Sequence, residues 1–130
     1  MRDEIVAHAR ASAPNEACGL VAAKGGTPTR LIRCANVHEM PTTRYRIEPR
    51  EQLRAFRDMD DRGEDLLAIY HSHPVSQPYP SPTDRAEAHY PEAFYVLVSL
   101  RAEEPEVEAY RIKPDGAVTR VPLVSSDPPR

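Results

Sequence analysis

His71 and His73 stand one residue apart at the end of an apolar run, DLLAIYHSH. Asp84 follows His73 by eleven residues, across a loop that contains Pro74, Pro78 and Pro80. In a strand, side chains at i and i+2 point to the same face, so both imidazoles aim at one point as the chain leaves the strand. Two imidazoles and a carboxylate are a common ligand set for a catalytic zinc ion, with a fourth position left for water. The prolines at 74, 78, 80 and 82 restrict the loop, so less entropy is lost in holding Asp84 near the histidines.

Each piece also has a plainer reading. An HxH pair arises by chance, and one histidine at a strand end fits a hydrogen-bonded core or surface role. Ser81 and Asp84, with Pro82 between them, form a good capping box at a helix start. A carboxylate that closes that box is not expected to be free for a metal, so the two readings compete for Asp84. A zinc hydrolase further needs a general base and a donor for the developing oxyanion. The Ser81 hydroxyl can donate. Glu16 in PNEACGLV, the last charge before an apolar strand, is the candidate base, and it also reads as a surface acid after a helix.

The elements that must position these groups follow from the pattern. IVAHARASA predicts a helix over 2–13, stopped by Pro14. CGLVAAK and PTRLIRCAN flank a Gly-Gly turn and predict a hairpin. TRYRIE alternates and predicts a short strand. EPREQLRAFRDMDDRG begins with a proline, ends at Gly63 and places Leu53, Phe56 and Met59 on one apolar face of a helix. DLLAIYHSH and AFYVLVSL read as buried strands, and EVEAYRIKPDGAVTRVPL as a hairpin turning at PDG. His8 is expected to be exposed on the first helix, His38 and His89 to lie on the surface or in loops, and Cys18 and Cys34 to be buried thiols. Tyr79 reads as an exposed loop residue or a substrate contact.

Taken together, Glu16, HSHP at 71–74, Ser81 and Asp84 resemble the JAMM motif of the MPN-domain metallopeptidases, E…H-[S/T]-H-P-x6-S-x2-D, without departure in type or spacing. The resemblance implies a single α/β domain over 1–124, of the MPN/JAB (cytidine-deaminase-like) type, with a central mixed sheet flanked by helices and a frayed tail at 125–130. It implies one Zn²⁺ per chain on His71, His73 and Asp84, Glu16 as general base and proton carrier, and Ser81 as oxyanion donor. Ser72 and Pro74 are given a shaping role. It further implies direct attack by water on an amide or isopeptide bond, with no acyl-enzyme. AHARASAPNEACGL, EQLRAFRDMDDRG and IYHSHP…YPSPTD are most similar to the small bacterial Mec-type branch. That branch implies a ubiquitin-like sulfur-carrier protein as partner, cut after its C-terminal Gly-Gly tail to release cysteine or blocking residues. The segment at 36–48 is expected to offer a sheet edge to that tail. Pairing of two copies as a homodimer is a further implication.

Other classes fit less well. A non-catalytic scaffold of the same fold usually lacks one or more of the five motif residues, all of which stand here. Metallo-β-lactamase-like enzymes need HxHxDH, zinc deaminases a PCxxC pair, and amidohydrolases a barrel of roughly 250 residues. The 130 residues suit one domain. A net charge of −3 and scattered arginines give no basic field for nucleic acid. No signal-peptide core or bilayer-length apolar run is present, and two cysteines are too few for a disulfide framework, so a cytoplasmic location is expected.

Overall fold

A computed structural model of the chain describes residues 1–123. The domain boundary expected at 124 and the tail at 125–130 lie outside the described residues. Helix α1 (Arg2–Ser12) is followed by strands β1 (Cys18–Lys24) and β2 (Thr27–Cys34), helix α2 (Pro49–Arg62) and strand β3 (Asp65–His73). Helix α3 (Pro82–Ala86) and strands β4 (Phe94–Ser99), β5 (Glu106–Ile112) and β6 (Val118–Val121) complete the order. The six strands form one mixed sheet in the order β2-β1-β3-β4-β5-β6. All neighbours are antiparallel except β3 and β4. That one parallel pair needs a crossover, and the crossover carries the proline loop and α3.

Local chemistry explains the elements. Gly25 and Gly26 both take positive φ, as a two-residue hairpin turn requires. At α2, the Glu48 side chain accepts from Glu51 N at 2.8 Å, and Gly63 closes the helix in the left-handed region at φ 68. Asp115 and Gly116 make the final turn, with Ala117 N donating to Asp115 Oδ1.

β3 is buried on both faces, as its continuous apolar run predicts. One face carries Ala68 and Tyr70 into a core with Ile5, Val6 and Ala9 of α1. The other carries Ile69 into a core with Cys18, Leu20, Ala55 and Met59 of α2. His71 and His73 continue the α2 face.

Four expectations need correction. TRYRIE is not a strand, and the segment at 36–48 is not a sheet edge; it makes a single bridge, Asn36 to Ile47. The reason is the Asn36 side chain, which takes the groups a partner strand would take. Its Oδ1 accepts from His38 N and Arg46 N, both at 3.0 Å, and its Nδ2 donates to the carbonyls of Glu16 at 3.1 Å and Arg44 at 3.0 Å. Leu53 is 52% exposed, so the buried face of α2 rests on Ala55 and Met59, with Phe56 packed beside them. His8 is buried rather than exposed, its Nδ1 2.7 Å from the Tyr70 hydroxyl.

Candidate functional site

Strand register builds the site. Cys18 faces His71 across β1 and β3. One step further, Ser72 N donates to the Ala17 carbonyl at 3.0 Å, and the Ser72 hydroxyl accepts from Ala17 N at 2.7 Å. The serine between the histidines therefore fastens the segment that enters β1 to the end of β3. Glu16 then falls beside His73, and both are buried.

The histidine Nε2 atoms lie 3.3 Å apart, and Asp84 Oδ2 lies 3.1 Å from that of His71 and 3.0 Å from that of His73. Tetrahedral zinc at ordinary Zn–N and Zn–O lengths places neighbouring donor atoms about 3.3 Å apart. The three donors match that spacing. Glu16 also offers an oxygen within 4.8 Å of both imidazoles. Of the two carboxylates, Asp84 is the better third ligand, since its oxygen already meets both rings. Glu16 stands beside the two rings, within 4.8 Å of their nitrogens.

Asp84 closes the capping box and faces the histidines with one and the same oxygen. Oδ2 accepts from Ser81 N at 2.9 Å while it faces both histidines, and Ser81 Oγ accepts from Asp84 N at 3.0 Å. α3 is only five residues long, so its capping box serves to aim the third residue at β3. Ser81 Oγ accepts in this box, and its hydrogen remains available to donate.

The ring of His73 is fixed by Nδ1–H donating to the Gln77 carbonyl at 2.8 Å, which turns its Nε2 toward Asp84 and His71. Ser99 Oγ donates to the Ser76 carbonyl at 2.5 Å, and the Tyr110 hydroxyl donates to the Pro78 carbonyl. Three consecutive carbonyls of the proline loop are thus held from the strands. His71 has no such bond, and its ring lies flat on Tyr45 instead.

Burial sets the electrostatics. Glu16 is pushed up to about 8 by loss of solvent, against the opposing pull of His73. Burial also lowers His71, outweighing its bond to Asp84. For His73 burial is overcome by Asp84 and the Gln77 carbonyl, and the net direction is up. Asp84 is held well below the usual carboxylate range because its bonds to His71 and His73 outweigh burial. Among the described residues, Glu16 Oε1 is a buried oxygen with no hydrogen-bond partner. A carboxyl held next to two imidazoles, undersatisfied and unwilling to ionise unaided, fits a site that could take a cation.

Five residues found by the sequence pattern, Glu16, His71, His73, Ser81 and Asp84, therefore meet in one place. Cys18 and Cys34 are buried, and burial pushes both thiols up to about 12, so neither offers a thiolate. His38 and His89 line a neighbouring cavity of about 440 Å³ with Tyr45, Gln52 and Tyr90. Arg44 and Tyr45 carried no sequence signal because their partners Thr83 and His71 are distant in the chain, and Asn36 carried none because the loop it organises has no periodic pattern.

The sequence profile of the prokaryotic homologues of the JAB domain matches residues 1–113. The chain belongs to the prokaryotic JAB family. Its six-stranded mixed sheet and flanking helices are those of a single JAB/MPN domain. A JAB-family relative, the CysO-cysteine peptidase of Mycobacterium tuberculosis, is 46% identical over 122 residues, covering 92% of this chain and 82% of that protein. A desampylase of Haloferax volcanii is 37% identical over 106 residues, 75% of each chain. The solution structure of a Desulfitobacterium hafniense protein superposes with a TM-score of 0.82 at 34% identity, over 95% of this chain and 86% of that one. Among the described residues no helix is long and apolar enough to cross a membrane.

Proposed function

We propose that this JAB protein is a zinc-dependent peptidase that hydrolyses the amide bond after the C-terminal Gly-Gly of a ubiquitin-like sulfur-carrier protein, releasing cysteine or blocking residues. The observation that carries the reading is the convergence of His71 Nε2, His73 Nε2 and Asp84 Oδ2 within 3.3 Å of one another. The Glu16 carboxyl stands beside them. The identity to a CysO-cysteine peptidase supports the substrate class, and the buried, reduced thiols suit a cytoplasmic setting.

His71, His73 and Asp84 hold the ion. Zinc bound there supplies a Lewis acid that polarises the scissile carbonyl and makes water acidic enough to attack near neutral pH. Glu16 takes the proton of the attacking water and passes it to the leaving amine. The Ser81 hydroxyl donates to the oxyanion, its oxygen fixed by Asp84 N so that its hydrogen points away from the helix. The Ser72 hydroxyl and the Asn36 amide do no chemistry; they hold the main chain of Ala17 and Glu16 in register.

Zinc titration tests the ligand set. Wild type and Glu16→Gln take up one ion per chain, and His71→Ala and Asp84→Ala lose most of the affinity. Cleavage of a carrier tail stops on chelation and returns with zinc. A chain that takes up no zinc contradicts the proposal.

A further inference from the structure

Arg44 is a half-buried cation at the mouth of this site. Its Nη1 donates to Thr83 Oγ1 at 2.8 Å, and Thr83 directly precedes Asp84 in α3. Its main chain is held from the other side: the Arg44 carbonyl accepts from Asn36 Nδ2 at 3.0 Å, and the same amide donates to the Glu16 carbonyl at 3.1 Å. The next residue, Tyr45, lies on His71. The arginine is therefore tethered both to the helix that carries Asp84 and to the segment that carries Glu16.

A guanidinium has five N–H donors in a planar fork matched to a carboxylate. Thr83 takes one. Among the described residues no carboxylate lies within ion-pair distance of Arg44, whereas Arg30, Arg101 and Arg120 each have one. A half-buried cation with free donors, tethered to the helix that carries Asp84 and to the segment that carries Glu16, can take an anion from a ligand.

The leaving group supplies one. Hydrolysis frees an amine that Glu16 protonates. If the released residue is the last of its chain, its α-carboxylate is attached to the carbon that bears that amine, so it must lie close to Glu16. A lysine side chain released from an isopeptide carries four methylenes there and no charge. We propose that Arg44 binds the terminal carboxylate of the released residue, so that the site selects a carrier extended by a single C-terminal amino acid over an isopeptide. This rests on the peptidase reading above and narrows its substrate.

The test compares two forms of one carrier protein, ending in Gly-Gly-Cys as the free acid or as the C-terminal amide. Zinc-loaded wild type, Arg44→Gln and Arg44→Lys are each assayed on both. The acid-to-amide ratio of kcat/KM within one preparation does not depend on how much of that protein is active. Wild type is expected to favour the acid by about 10- to 100-fold, as a charge-assisted pair lost from one substrate predicts. Arg44→Gln is expected to bring the ratio to within about threefold of one, and Arg44→Lys to fall between, because a point charge replaces the fork. A wild-type ratio near one overturns this inference and leaves the peptidase reading standing. So does an unchanged ratio in Arg44→Gln or, where that variant cuts neither form, in Arg44→Lys. Failure of wild type to cut either form overturns both.

Discussion

Tyr45 lies against the ring of His71, with centroids 4.3 Å apart and planes 23° from parallel. His73 is oriented by a hydrogen bond to the Gln77 carbonyl, but Nδ1 of His71 has no hydrogen-bond partner among the described residues. The stacked tyrosine does for His71 what the carbonyl does for its neighbour. It fixes the ring plane and shields it from water, at the end of a strand where the imidazole would otherwise be free to turn.

Tyr45→Ala is therefore expected to weaken zinc binding about 10-fold or more, the usual effect of removing a group that orients a ligand. Tyr45→Phe keeps the stack and stays near wild type. Competition against a chromogenic zinc chelator reads both. Equal losses in the two variants would point to the hydroxyl and contradict the stacking role.

Glu16 sets a pH dependence in the metal-free protein. Burial pushes its pKa up to about 8 in the folded chain against an ordinary 4.5. Between those values the folded chain keeps a proton that the unfolded chain has released, so stability falls as pH rises through the window. The slope is at most about 1.4 kcal/mol per pH unit. Glu16→Gln cannot titrate, so its urea midpoint, compared with wild type, gains on it steadily from about pH 5 to 8. Zinc lowers the carboxyl and flattens the wild-type slope. Parallel pH profiles for the two metal-free proteins would rule this out.

Ser81 has two tasks that one substitution confuses. Ser81→Ala removes the cap, at about 1 kcal/mol, and the oxyanion donor together. Ser81→Gly loses only a few tenths of a kcal/mol as a cap, yet it has no hydroxyl to donate. Turnover by the glycine variant is expected to fall about 100-fold or more, with zinc content preserved. A loss smaller than tenfold would leave Ser81 as a cap alone.

Gly19 has no room for a side chain. A Cβ there would sit 2.4 Å from the Tyr70 ring and 2.5 Å from the Ile32 carbonyl oxygen. Tyr70 is fully buried and tied to His8, so it cannot swing away. Gly19→Ala is expected to destabilise the fold by about 1–3 kcal/mol, read as a shift of the denaturant midpoint. Gly19 lies beside the serine-fastened end of β1, so its effect on Glu16 comes through the strand.

Much of this was legible in the sequence because it is periodic or local. The HxH pair declared its shared face through strand alternation, and the Ser81–Asp84 box through helix capping. The Gly25–Gly26 turn followed from backbone freedom. What failed was non-local. The alternation of TRYRIE was overridden by one amide, Asn36, that occupies the hydrogen-bonding groups on both sides of its loop. Leu53 followed the helical period but is exposed, the buried face of α2 being made by Ala55 and Met59. His8 was hidden by its bond to Tyr70, sixty-two positions away. At the site, the ligands and the base carried a sequence pattern, whereas Tyr45, Arg44 and Asn36 owe their places to a loop whose course only tertiary contacts define.

The central claim is tested most directly by intact-mass spectrometry of a carrier protein ending in Gly-Gly-Cys, mixed with the zinc-loaded protein or with its zinc-loaded Glu16→Gln variant. The account predicts that wild type removes one cysteine from the carrier, leaving a free Gly-Gly terminus and no covalent adduct on the enzyme, while the variant leaves the carrier intact. An uncut carrier with zinc-loaded wild type, or equal cutting by the variant, would contradict it.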